Sequence, residues 1–232
     1  MKWNKKKVFT VALAVCLIAI LSLSSLAWFT DDDIVENDFL IAGSDNEDPD
    51  EVFSIDVWEN NPGSDPDGYT YEDILPGDVL QKEVFVKNTG AYEQYARVIV
   101  VVSNANEWMA ALDKTAPAYP ALSQLVNGLN TANWDPADAN SANYDAQNNT
   151  FWYVLYVPGT LAVNEEVKLF ESVKIPEALT REEAAAFDGG FSINVYAQAV
   201  QTQNLGTSAN AAEAFDYVNW SEADAYAQIM NP

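Results

Sequence analysis

The sequence has 232 residues, 35 of them acidic and 11 basic, with a single cysteine and no histidine. A formal charge of −24 repels nucleic acid and anionic membrane surfaces. The absence of histidine excludes Ser-His-Asp and Cys-His nucleophiles and the H-E-x-x-H zinc site.

Lys2, Lys5, Lys6 and Lys7 make a positive start, and residues 8–23 are almost wholly apolar. Ser25 and Ala27 then supply the small residues that a signal peptidase grips, so residues 1–27 read as an export signal cleaved between Ala27 and Trp28. The apolar run is barely long enough to span a bilayer, which needs about 20 residues. Membrane contact is therefore expected only through the uncleaved signal. Cys16 does not fit a lipoprotein site, because Val15 stands where a small residue is wanted and the apolar run continues past it. Cleavage takes away four lysines and no acids, leaving 7 basic against 35 acidic residues, a formal charge of −28, and no cysteine for a disulfide.

Trp28 and Phe29 head the mature chain, followed by Asp31, Asp32 and Asp33 and by the apolar residues Ile34, Val35, Phe39, Leu40 and Ile41. Residues 43–51 form an acidic loop. Phe53, Ile55 and Val57 alternate with Ser54, Asp56 and Trp58, the pattern of a half-buried strand. Residues 60–68 are a loop rich in Asn, Pro, Gly and Asp. Leu75-Pro76-Gly77-Asp78 is a turn, residues 79–87 a strand, and residues 97–102 a β-branched run suited to a strand buried on both faces.

Asn104 and Glu107 predict a capped helix through Leu112, and residues 121–129 a second helix. Residues 130–149 read as a long insertion. Strands are expected over 151–157 and 167–175, and Thr180 with Glu183 caps a helical turn ending at Phe187. The cleanest alternation in the chain is Phe191, Ile193, Val195, Ala197 and Ala199 against Ser192, Asn194, Tyr196 and Gln198. Phe151, Trp152, Tyr153 and Tyr156 suit either a packed core or a glycan-binding face. About eight strands joined by Pro/Gly turns imply an all-β fold, a jelly-roll-like antiparallel β-sandwich with short helical insertions. The expected organisation is a signal peptide over 1–27, a mature N-terminal segment over 28–50, a sandwich over 51–203 with an insertion at about 104–149, and a partly helical tail over 204–232.

Leu26-Ala27-Trp28-Phe29-Thr30-Asp31, the Leu75–Asp78 turn, Val84-Phe85-Val86-Lys87-Asn88-Thr89-Gly90 with Tyr95-Ala96-Arg97-Val98, Phe170-Glu171-Ser172-Val173-Lys174-Ile175-Pro176, and the VYAQAVQ strand over 195–201 follow one another in order. Together they resemble the TasA/camelysin family, discontinuously over most of the chain. The resemblance implies export through a SipW-type signal peptidase and a secreted structural role in the extracellular matrix or at the cell surface. It further implies fibres of the protein with itself, in which the segment freed by cleavage is donated as a strand to the next copy. The donor residues would be Trp28, Phe29, Ile34, Val35, Phe39, Leu40 and Ile41. Pairing of that segment within its own subunit is the alternative. The metalloprotease activity attached to camelysin relatives does not carry over to a chain without histidine.

Calcium is the only cofactor the acidic stretches suggest. Asp31, Asp32, Asp33, Asp45, Glu47, Asp48, Asp65 and Asp67 are the candidate ligands, against the alternative of simply solvated loops. An EF-hand register puts Gly63 first and Ile74 twelfth, so that motif is excluded. Two other functions remain open on the residues alone. One is a monomeric adhesion or glycan- or protein-binding module, or a fibre accessory. The other is a hydrolase built on a carboxylate pair, although no spacing singles out such a pair.

Overall fold

In a computed structural model, β-strands dominate, built from segments with period-2 apolar patterning. The described residues are 30–35, 54–64, 68–114, 118–187, 190–203 and 205–231. The chain divides after Thr30, and the sheets and cores of the fold belong to the unit over 31–232.

Nine strands are present among the described residues: β1 (Thr30–Val35), β2 (Ile55–Asn60), β3 (Val79–Asn88), β4 (Gln94–Ser103), β5 (Val126–Asn127), β6 (Asn143–Asp145), β7 (Thr150–Tyr156), β8 (Glu166–Lys174) and β9 (Ile193–Gln201). They form a five-stranded sheet in the order β1-β9-β4-β7-β6 and a four-stranded sheet in the order β2-β3-β8-β5. The β4–β9, β4–β7, β6–β7, β2–β3, β3–β8 and β5–β8 pairs are antiparallel. The fold is thus the all-β sandwich expected.

Alternation decides what lies between the sheets. Val84 and Val86 of β3, Val98, Val100 and Val102 of β4, Phe151, Tyr153 and Leu155 of β7, and Val195 and Ala197 of β9 all enter the main core. The Tyr153 hydroxyl reaches the Pro120 carbonyl at 2.8 Å, so its polar end is satisfied inside that core.

The opposite face of the five-stranded sheet is also covered. Helices α5 (Ala211–Tyr217) and α6 (Glu222–Met230) lie in the tail. Ala211, Ala214, Phe215, Trp220, Ala225 and Tyr226 build a second core with Ile99, Val101, Val154, Tyr196 and Val200. The layers of this unit are therefore helices, sheet and sheet. β4 is buried along nearly its whole length for this reason, as its β-branched run predicts. β9 is buried on both faces as well, where alternation predicted only one.

The middle of the chain departs from expectation. Helix α1 (Ala105–Ala111) begins at Asn104, but Asn104 has a left-handed backbone (φ 60) and no side-chain cap bond. Asn149 does the capping: its carbonyl accepts from the Ala105 N–H and its Oδ1 from the Asn106 N–H, both at 2.9 Å. The second expected helix shrinks to α2 (Leu122–Leu125), and the chain turns at once into β5. Val126 and Asn127 pair there with Val173 and Ser172, satisfying groups on the edge of β8. The insertion adds α3 (Pro136–Ala139) and β6, and its Trp134 is buried with Nε1 donating to the Lys168 carbonyl at 2.9 Å. Helix α4 (Arg181–Ala186) carries the predicted capping box: Thr180 N–H donates to Glu183 Oε2 at 2.7 Å, and Glu183 N–H to Thr180 Oγ1 at 3.2 Å.

Candidate functional site

Three places in the fold bear on function. The first is the outer edge of the five-stranded sheet. Strand β1 contains Asp31, Asp32, Asp33, Ile34 and Val35 and lies beside β9, at the sheet's edge. Trp28, Phe29, Phe39, Leu40 and Ile41, the other residues of the expected donor segment, lie outside the described residues, as do Ala27 and the cleavage junction. Asp45, Glu47, Asp48, Asp65 and Asp67 are outside them too. Among the described residues no group of three or more acidic, histidine or cysteine side chains is placed to hold a metal ion. None of the helices described is long and apolar enough to cross a membrane.

The second place is the solvent face of the four-stranded sheet. Trp58 of β2 and Phe85 of β3 are register partners and stack with centroids 4.3 Å apart and planes 9° apart. Trp58 Nε1 donates to Glu166 Oε2 at 2.8 Å. Lys168 Nζ lies 5.3 Å from the Phe85 ring centroid and donates to Glu83 Oε1 at 2.6 Å. That bond, with a second from Asn60, holds the Glu83 carboxyl below its usual range, and the Glu83 bond holds the Lys168 amine above its own. Alternate residues of two neighbouring strands thus form a stacked aromatic pair in a frame of charges. The Phe151–Tyr156 aromatics play no such part. Phe151 and Tyr153 are in the main core, and Trp152 and Tyr156 face α5 and α6.

The third place is inside the sandwich, at one end. Glu59 of β2 follows Ile55 and Val57 on the inward face, and Lys82 of β3 precedes Val84 and Val86 on the neighbouring inward row. Their side chains are 1% and 2% exposed, and Lys82 Nζ donates to Glu59 Oε1. Glu59 Oε2 is buried and has no hydrogen-bond partner among the described residues. Burial pushes the Glu59 carboxyl up and the Lys82 amine down, and the attraction between the two opposes both shifts. Asn61, also buried, follows just past the end of β2. A cleft of about 160 Å³ leads to Lys82 past Tyr69, Tyr71, Ile74, Leu80 and Phe191. Burial first, and then the Glu59 charge, push the Tyr71 phenol up to about 12, and its hydroxyl donates to the Gln81 carbonyl.

The sequence patterns place Glu59 at the end of one strand and Lys82 within another, and give neither residue a role. The signal is nevertheless present. Counting by two from Ile55 puts Glu59 on the apolar face, and counting back by two from Val86 puts Lys82 there. No protein-family model, curated protein or solved structure matches the chain.

Proposed function

We propose that this chain is an exported structural subunit of the extracellular matrix or cell surface, processed by a SipW-type signal peptidase and assembling with copies of itself by donation of its N-terminal strand. The jelly-roll winding implied by the family resemblance belongs to the same reading. The observation that carries it is the position of β1. The segment that cleavage would bring to the N-terminus supplies an edge strand of the five-stranded sheet, beside β9. A strand at that position can leave its own sheet and fill the same slot in a neighbour with identical main-chain bonds. Donation from head to tail does not close, so it produces a filament. Calcium would screen a subunit of charge −28 and so favour close packing of filaments.

A monomeric glycan- or protein-binding module is the second reading, supported by the Trp58–Phe85 stack and its frame of Glu83, Glu166 and Lys168. Aromatic edges rimmed by polar groups suit a ligand that offers both apolar and hydrogen-bonding groups.

Electron microscopy and size-exclusion chromatography separate the two readings. Chains beginning at Trp28 and at Glu51 are compared with and without calcium. Filaments from the first and none from the second are expected. Stable monomers from both in every condition would overturn strand donation and leave the binding module.

A further inference from the structure

The Glu59–Lys82 pair is in the wrong surroundings for an ordinary ion pair. Both side chains occupy core positions in rows otherwise filled by Ile55, Val57, Val84 and Val86. One oxygen of the carboxyl, Oε2, has no hydrogen-bond partner among the described residues. Removing two charges from water costs more than their attraction returns unless the remaining lone pairs are satisfied, and here one oxygen is left over. Apolar residues of similar volume would serve the core at least as well. Neither the β1 edge nor the Trp58–Phe85 face involves this pair, so its role is independent of the proposed function.

We propose that Lys82 Nζ and Glu59 Cδ are joined by a self-formed amide bond, a covalent stitch between β2 and β3. The reaction is a condensation within the folded chain. Transfer of the ammonium proton to the carboxylate gives an amine and a carboxylic acid, the neutral forms that burial favours for both groups. The nitrogen lone pair attacks Cδ and the C–N bond forms. One C–O bond breaks, and the departing hydroxyl takes a proton from nitrogen and leaves as one water. No oxidant, reductant or activated co-reactant is needed. Contact between amine and carboxyl supplies proximity, and the burial of both side chains limits attack by the water that would reverse the step. The Tyr71 phenol remains protonated at neutral pH and stands close enough to Glu59 to feel its charge. The product carries no buried charge and one carboxyl oxygen fewer.

The stitch answers a structural need. β2 and β3 are separated in sequence by residues 61–78, a stretch of chain that the mature protein has no cysteine to close into a loop. An amide between residues 59 and 82 closes that loop as a disulfide would, but resists reduction.

The test is the intact mass of the purified, denatured full chain, followed by peptide mapping. The expected mass is lower than the sequence mass by one water, with a branched peptide joining the segments that hold Glu59 and Lys82. Glu59→Gln is expected to lose one ammonia instead, and Lys82→Arg to keep its full mass. The wild-type mass alone decides the matter even if the variants fail to fold. Full mass, with Glu59 and Lys82 in separate linear peptides, would overturn the proposal. So would a link mapped from Lys82 to Asn61. Because the mass is read on denatured chains, it is unaffected by whether filaments form.

Discussion

The indole of Trp152 and the phenol ring of Tyr226 lie face to face, with centroids 4.8 Å apart and planes inclined by only 8°. This contact joins β7 to the last helix. The Tyr226 hydroxyl is also 2.6 Å from Thr150 Oγ1 and donates to Asp145 Oδ2 at 3.0 Å. Tyr226→Ala removes the stack and both bonds and is expected to lower stability by about 3 kcal/mol. Tyr226→Phe keeps the stack and should cost about 1 kcal/mol. Urea unfolding of the two variants beside the parent measures both values.

Arg97 is fully buried on the same side of the sheet. Its guanidinium lies 3.9 Å from the Phe215 ring centroid and 5.3 Å from that of Trp220, and its Nε donates to Gln198 Oε1 at 2.8 Å. The long side chain fills the space beneath α5 as well as bringing charge. Arg97→Ala is expected to cost about 3 kcal/mol through the cavity it leaves. Arg97→Met keeps most of the volume and should cost clearly less. Equal losses in thermal unfolding would mean that charge, not filling, is what matters there.

Ending the chain at Gln203 removes α5 and α6 and bares Ile99, Val101, Val154, Tyr196 and Val200. That variant is expected to bind an apolar dye such as ANS strongly and to self-associate on a sizing column. The unshortened chain, with that face covered, is expected to bind little dye under the same conditions.

The Glu83–Lys168 pair sets an acid limb. The Lys168 bond, followed by that from Asn60, depresses the folded-state value of Glu83 below its usual 4.5. Its contribution is therefore present above pH 4.5 and is lost as pH falls through the lower folded value. The pair is partly solvated, so the effect is at most about 1 kcal/mol. Glu83→Gln should show a shallower loss of stability below pH 4.5 than the parent in unfolding curves taken at a series of pH values.

How much of the structure is legible in the sequence depends on the range of the interactions. The Thr180–Glu183 box is visible because both partners sit within one helical turn. The double burial of β4 is visible because every residue over 98–102 is Val or Ile. Asn149 as the cap of α1 is not visible, since it lies 43 residues from the N–H it satisfies. The two- and three-residue strands β5 and β6 are too short to show a period, and their pairing depends on edges made by β8 and β7. In β9, Tyr196 and Gln198 read as a solvent-facing row. Only the position of the tail, with Phe215 and Tyr226 over that face, shows otherwise. At the candidate sites, periodicity puts Glu59 and Lys82 on inward faces, but nothing local tells that the two rows meet.

Strand order also governs how the chain acquires its structure. β4 is the centre of its sheet, yet its partner β9 arrives late, and the hydrogen-bonded Arg97 and Gln198 are 101 residues apart. On the proposed export route the chain emerges N-terminus first and exposes the apolar run of β4 until nearly all of it has crossed, and the helices that shield the far side emerge later still. Contacts this distant in sequence make folding slow and leave sticky intermediates. The excess of carboxylates, spread from β1 to α6, keeps such intermediates apart by mutual repulsion while the sheet waits for its last strand.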